Sequence, residues 1–211
     1  MSNRFTISDT HFGHANTWAK FTNADGSPLR PFSSTEEMDE TLVDNWNRVV
    51  HPKDTVYHLG DVVIARRNLQ TVKRLNGRKI LIRGNHDMFK DKDYYEAGFE
   101  QIHGVRVFVD KWIMSHIPLH PGSVTDRFKV NVHGHTHGNR VLQEYDTGMG
   151  STWHPEIGTR IDPRYYSVCV EQINYTPISF EDLEQHIIQQ WDALNYFPPE
   201  KSGWGNGSKP D

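Results

Sequence analysis

Cysteine is nearly absent: Cys169 is the single one among 211 residues. An intramolecular disulfide framework is therefore excluded, and a closed structural zinc site, which favours several thiolates, is disfavoured. Long apolar runs are also missing, since no stretch approaches the ~20 residues that a membrane-spanning helix needs, and no membrane partner is expected. No internal repeat is present. The opening residues run straight into a β-rich stretch before Asp9, so no signal peptide is expected and a cytoplasmic location follows. What remains is a globular composition, 36% hydrophobic with 11% aromatics and a net charge of −4. A chain of this length fits one domain with a sizeable core.

Against that plain background five short apolar runs each stop at a metal-ligand residue type. FTIS precedes Asp9 and His11, VYHL precedes Gly60 and Asp61, ILIR precedes Gly84 and Asn85, WIMS precedes His116, and VNV precedes His133 with His135 and His137 beyond it. The runs have strand composition. In sheet-based α/β folds ligands collect just outside the carboxyl ends of strands, so five such endings predict one rim and one site. Any one of these pieces alone is an ordinary turn, GD above all; their conjunction is what points to a metal centre.

Carboxylate oxygen, amide oxygen and imidazole nitrogen together suit hard and borderline divalent cations. A carboxylate can hold two cations at once whereas an imidazole lone pair cannot be shared, which makes Asp61 the candidate bridge. Asp9, His11 and His137 would complete a first metal, and Asn85, His116 and His135 a second. Two such ions, roughly 3.5–4 Å apart, can hold an anionic phosphoryl group, with a bridging hydroxide as the attacking nucleophile.

The ordered pieces DTH at 9–11, GD at 60–61, GNHD at 84–87, His116 and GHTH at 134–137 resemble the motif set of the calcineurin-like metallophosphoesterases, especially their compact bacterial and bacteriophage members. The likeness extends through DTHFGHAN, RPF with the acidic helix after it, HLGDV, and the stretch from YYSV to ISFEDL, covering most of residues 3–190. It implies a single-domain α/β fold over residues 1–200, a four-layer α-β-β-α sandwich of two facing mixed sheets flanked by helices. It also implies phosphoester hydrolysis on two divalent metals, Mn²⁺ first, with Fe, Zn²⁺, Ni²⁺ or Co²⁺ as alternatives. By the same resemblance His86 polarises the phosphate or protonates the leaving oxygen, and the adjacent carboxylate of Asp87 is expected to fix the His86 tautomer. His14 and Asn16, near the first ligands, are candidate substrate contacts beside Asn85 and His86. Phe12, His120, Asn139 and Arg140 also fall close to ligands, whereas His58, inside a strand, reads as a buried hydrogen-bonded histidine.

Elsewhere, Ser34 and Glu37 form a capping box opening a helix through about Val50, with Met38, Leu42, Val43, Trp46 and Val49 as its core stripe. Further helices are expected over Arg66–Leu75, Lys92–Ala97 and, capped by Ser179, Phe180 to about Ala193. A hairpin is expected from Val105–Val109 and Trp112–Ser115, a strand over Tyr165–Gln172, and a flexible tail over 201–211. Between Val62 and His86 stand Arg66, Arg67, Lys73, Arg74, Arg78, Lys79 and Arg83 with no acid. That run is either a solvated face or a track for a nucleic-acid backbone. Three functions follow from the sequence. The leading one is a phosphodiesterase for small nucleotide-like or cyclic phosphodiesters, suggested by the lack of an obvious cap domain. The others are a phosphomonoesterase or protein phosphatase of the same fold, and a nucleic-acid-processing module using the basic run.

Overall fold

A computed structural model describes residues 2–124, 128–149 and 156–198; the expected tail at 201–211 lies outside them. In chain order the elements are β1 (Arg4–Ile7), α1 (Asn16–Ala19), α2 (Thr35–Val49), β2 (Thr55–His58), α3 (Leu69–Val72), β3 (Arg78–Ile82), α4 (Asp91–Ala97), β4 (Phe99–His103), β5 (Val105–Phe108), β6 (Trp112–Ser115), β7 (Val130–His133), β8 (Leu142–Asp146), β9 (Ile157–Ile161), β10 (Tyr165–Ser167), β11 (Ile178–Ser179) and α5 (Phe180–Ala193). The result is a mixed α/β fold. One sheet runs β11-β1-β2-β3-β4, a second β10-β7-β6-β5, and β8 and β9 form a separate hairpin. Strands β1 to β4 are parallel with β11 antiparallel at the edge. In the second sheet β10, β7 and β6 are parallel and β5 turns back against β6.

Alternation along the strands explains the layering. Phe5, Ile7, Val56 and Leu81 face a cluster containing Met38, Leu42, Val43 and Trp46 of α2. Tyr57, Leu59, Ile80 and Ile82 point the other way, onto Trp112, Met114, Val130, Val132, Tyr166 and Val168. The central strands of the first sheet are thus buried on both faces, which is why their sequences read as nearly continuous apolar runs. Helix α5 contributes Phe180, Leu183 and Ile187 to the sheet–sheet core. The opposite face of the second sheet is more polar: Leu119 N–H donates to Asn131 and the Tyr165 hydroxyl to the Leu119 carbonyl, drawing the loop after β6 over it. Helix on sheet on sheet is therefore visible in the packing.

Local expectations fare unevenly. The α2 N-terminus is capped as expected, Ser34 Oγ accepting from Glu37 N–H, although the Glu37 carboxylate turns to Ser33 instead of closing on Ser34. The Ser179 cap and the span of α5 also match. The helix expected over Arg66–Leu75 is only a 3₁₀ turn, Arg66–Asn68, running into the four residues of α3. The strand expected to Gln172 stops at Ser167, because Ser8 exchanges backbone hydrogen bonds with Val168 and Val170, and the chain then coils at Val170–Gln172.

His58 is the buried, hydrogen-bonded histidine expected, 1% exposed. Its Nδ1 accepts from Gly60 N–H and its Nε2 pairs with Thr10 Oγ1, whose own proton goes to the Val62 carbonyl. Only the neutral ring fits this chain, and burial pushes its pKa down to about 3. The unfolded ring titrates near ~6.5, so the unfolded state binds more protons between these values. Stability should be full above that range and fall as pH drops toward 3, with a slope approaching ~1.4 kcal/mol per pH unit from this group. Urea unfolding between pH 7.5 and 5 should show a dependence reduced by about one proton in His58→Gln; an unchanged dependence would contradict the assignment.

Candidate metal centre

Every parallel strand that carries a donor presents it just past its carboxyl end. Asp9 and His11 follow β1, Asp61 follows β2, Asn85 follows β3, His116 follows β6, and His135 and His137 follow β7. The sheets are sewn together at this rim: Ser8 N–H donates to the Val168 carbonyl, and His135 N–H to Asp9 Oδ2. The chain turns sharply there, so Asp9, His11, Asp61, His135 and His137 all have positive φ, between 47° and 69°. Residues with a β-carbon occupy that region at a cost, of order 1–3 kcal/mol where sparsely populated conformations are enforced.

The described residues hold two groups able to bind a metal, Asp9–His11–His137 and Asp61–His116–His135. In the first, His11 Nε2 and His137 Nε2 stand 3.8 and 3.9 Å from Asp9 Oδ1. That oxygen is fully buried and lacks a hydrogen-bond partner. These spacings are too long for hydrogen bonds, but they suit donors that share an ion at about 2.0–2.2 Å. Asp61 Oδ2 links the groups, 3.6 Å from His11 Nε2 and 3.5 Å from His116 Nε2, while Oδ1 accepts from His86 N–H.

In the second group, Asn85 Oδ1 lies 2.8 Å from His116 Nε2 and 2.9 Å from His135 Nδ1. His116 Nδ1 is 2.7 Å from the Leu59 carbonyl and must carry a proton to donate there. The neutral ring then aims an Nε2 lone pair at Asn85 oxygen, also an acceptor, and the two repel unless a proton or cation lies between them. All seven expected donors are thus brought together, and their chemistry fits two divalent ions.

The charges interlock. Burial would raise the Asp61 carboxyl, but the hydrogen bond and charge of His116 with the His86 amide pull it down to about 2. Burial pushes the Asp9 carboxyl up and the His11 ring well down. His116 and His137 are raised despite their burial, the first by Asp61 and Asp9, the second chiefly by Glu171.

Two expectations change, and one pair of open alternatives is narrowed. Asp87 is not arranged to orient His86: its Oδ2 accepts from Asp61 and Gly84 N–H, and its Oδ1 from Val62 N–H and the Tyr94 hydroxyl. The carboxylate pins the GD loop to the GN loop, and no capacity is left over for the neighbouring ring. Phe12 is fully buried core. Four of the seven residues in the basic run are paired from outside it, Arg66 with Asp93, Arg74 with Glu40, Arg78 with Glu100 and Arg83 with Asp91. Lys79 is buried and donates to the Leu75 and Gly77 carbonyls. These pairs favour the solvated-face alternative over the track.

His86 is exposed and sits edge-on to His11, ring centroids 5.7 Å apart. His14 is half-buried, 5.6 Å from His11 and edge-on to Phe21, with its Nδ1 buried and unpartnered. Asn16 is half-buried at the start of α1. His120 accepts from Gly122 N–H in its own turn.

Sequence reasoning missed Arg30, Glu171 and Cys169. Arg30 is fully buried and donates to the Asp9 and Thr10 carbonyls and to Glu171, which in turn meets His137 Nδ1 at 3.0 Å. Cys169 Sγ donates to Asp9 Oδ2. RPF gave a faint signal, but nothing linked an arginine to an acid 141 positions later.

A mixed α/β scaffold with two His/Asp clusters able to hold metals is the class this fold and site define. No family model matches the chain. It is 36% identical over 202 residues to the uncharacterized protein MJ1445 of Methanocaldococcus jannaschii, covering 90% of this chain and 93% of that protein. It is also 30% identical over 178 residues to the gene 66 protein of Mycobacterium phage L5, covering 69% of this chain and 82% of that one. The chain belongs to the family that these two proteins represent. Its fold is shared with the protein of unknown function AQ665 from Aquifex aeolicus, at a TM-score of 0.59 and 26% identity, covering 88% of this chain and all of that one. Slighter structural overlaps are found with a nuclease MPE of Pseudomonas putida (TM-score 0.42, 19% identity, covering 64% of this chain and 61% of that one) and with an archaeal phosphodiesterase (0.39, 18%, 76% and 99%).

The rim depends on close backbone approach. A β-carbon on Gly84 would lie 2.3 Å from Asp61 Oδ1 and 2.6 Å from Asp61 N, whereas one on Gly104 would meet nothing within 4 Å. If the two groups hold divalent ions, Gly84→Ala should lower the bound divalent-metal content with the circular dichroism spectrum retained, and Gly104→Ala should not. Wild-type metal content in Gly84→Ala, by elemental analysis, would show that Asp61 tolerates the displacement.

Proposed function

We propose that the chain is a dinuclear-metal phosphoester hydrolase of the calcineurin-like metallophosphoesterase type, acting in the cytoplasm on small nucleotide-like or cyclic phosphodiesters. One observation carries this reading: the Asp61 carboxylate stands within 3.6 Å of imidazole nitrogens from both donor groups. Asp9, His11 and His137 would hold one cation, Asn85, His116 and His135 the other, with Asp61 between them and Mn²⁺ the first metal to test. Bound there, such ions supply electrophilic polarisation of phosphoryl oxygen and water of lowered pKa.

The side chains around them have separate tasks in this reading. Asn85, His86 and His135 are exposed, so substrate approaches from their side. His86 donates a hydrogen bond to a phosphoryl oxygen or a proton to the leaving oxygen. Its backbone N–H, held on Asp61 Oδ1, fixes where that ring starts. His14 and Asn16 flank the approach from the first ligand loop. An exposed entrance suits a diester, whose two substituents must both find room, better than a closed monoester pocket.

Metal-stripped protein resupplied with Mn²⁺ is to be assayed on bis-nitrophenyl phosphate, nitrophenyl phosphate and cyclic nucleotides. Diester hydrolysis should require the added metal and exceed monoester hydrolysis, and Asp61→Asn should lose both ions and nearly all turnover. A monoester rate far above the matching diester rate would reverse the substrate order, and full metal content in Asp61→Asn would refute the bridge. His86→Ala should keep both ions and lose about 10²–10⁴-fold in rate on an alkoxide leaving group; undiminished turnover would remove His86 from the chemistry.

A further inference from the structure

Behind the first donor group lies a buried relay. His137 turns Nε2 toward Asp9 Oδ1 and Nδ1 toward Glu171 Oε1, 3.0 Å away. The same Glu171 oxygen accepts from Arg30 Nε at 2.8 Å, while the two terminal nitrogens of Arg30 donate to the Thr10 and Asp9 carbonyls. Arg30 is 0% exposed, and the other Glu171 oxygen is buried with no hydrogen-bond partner. A buried ion pair is costly to desolvate, and this one spans 141 residues to end on a single imidazole and on the carbonyl of a donor residue.

Among the described residues the second donor group has no equivalent. His116 rests its far nitrogen on a neutral carbonyl, that of Leu59, and His135 uses Nδ1 itself on Asn85. A carboxylate behind an imidazole fixes its tautomer and raises its strength as a donor, and losing such a partner typically costs 10–100-fold in metal affinity. Replacing Glu171 with a neutral group would also leave the Arg30 charge uncompensated beside the first cation.

Building on the metal centre proposed above, we propose that Glu171, held by Arg30, is the positioning residue of His137 and makes Asp9–His11–His137 the tighter of two unequal metal sites. It touches no reacting atom and acts only through the histidine, whose Nε2 lone pair it keeps turned to the metal.

Mn²⁺ titration of the metal-stripped protein, followed by electron paramagnetic resonance, tests this. Wild type should bind two equivalents with different affinities. Glu171→Gln should retain the weaker equivalent unchanged and bind the tighter one about 10–100-fold less well, with its metal-free thermal melt still cooperative. Two unaltered equivalents, or equal weakening of both, would overturn the proposal. A second measurement does not depend on the variant folding. In metal-free wild type at alkaline pH, long-range proton–nitrogen correlations should show His137, identified by its loss in His137→Gln, with the proton on Nδ1; a proton on Nε2 overturns the assignment. Wild type that binds no Mn²⁺ would instead defeat the metal centre itself, while the tautomer would still report on Glu171.

Discussion

The position of one carboxylate sets the rest of this molecule. Asp61 reaches imidazoles on both sheets because the chain leaves β2 through Gly60, at φ 93°, and enters the left-handed region at Asp61 itself. That geometry exists only because both sheets end at one rim. His11 belongs to the first sheet and His116 to the second, and the distance from Asp61 to each is nearly the same. A one-residue slip in the pairing register of β1 or β6 would turn that strand's alternating side chains to the opposite face and pull the donors apart. The apolar sheet–sheet core is therefore also the device that sets the spacing of the site.

Holding five donors at positive φ requires that the surroundings over-determine the backbone, and the buried polar groups do this. Asp87 clamps Asp61, Val62 and Gly84 amides; Ser8 holds Leu59; Asn131 ties Ile113, Ser115 and Leu119 together. Each bond is modest alone, about 0.5–1.5 kcal/mol net. Breaking one leaves a buried polar group unpaired, which costs more than the bond was worth. The strain at the donors and the polar network beneath them are two sides of one arrangement.

Much of this was legible in the sequence, and the boundary of legibility has a physical cause. The seven donors could be listed from the chain because each sits where a β-rich run stops, a local signal. The α2 and α5 boundaries followed from capping residues, also local. What escaped was non-local. Glu171 and Arg30 meet only in space, and Glu171 lies where a continued strand had been expected. Asp87 beside His86 invited a pairing by adjacency, but the turn sends the carboxylate inward and leaves the ring at the surface. The acid-free run from Val62 to His86 left a solvated face and a nucleic-acid track both open because the acids that pair with four of its members, Glu40, Asp91, Asp93 and Glu100, come from other elements.

The two donor groups also differ in their relation to solvent. Asp9 and His11 are buried, with Cys169 and His135 N–H occupying the Asp9 oxygen that does not face the imidazoles. Asn85 and His135, from the other group, are exposed, and His86 stands beside them. Electrostatic interactions strengthen as water is excluded, so under the proposed metal centre the buried donors would hold a cation more firmly than the exposed Asn85 and His135. Under the proposed function an entering anion would meet Asn85 and His135 first, with His86 exposed on that same side. Asymmetry of this kind needs no second domain: Asp9, His11, Asp61 and His116 are all buried where the sheets meet, and it arises because Asn85 and His135 alone among the donors stand exposed.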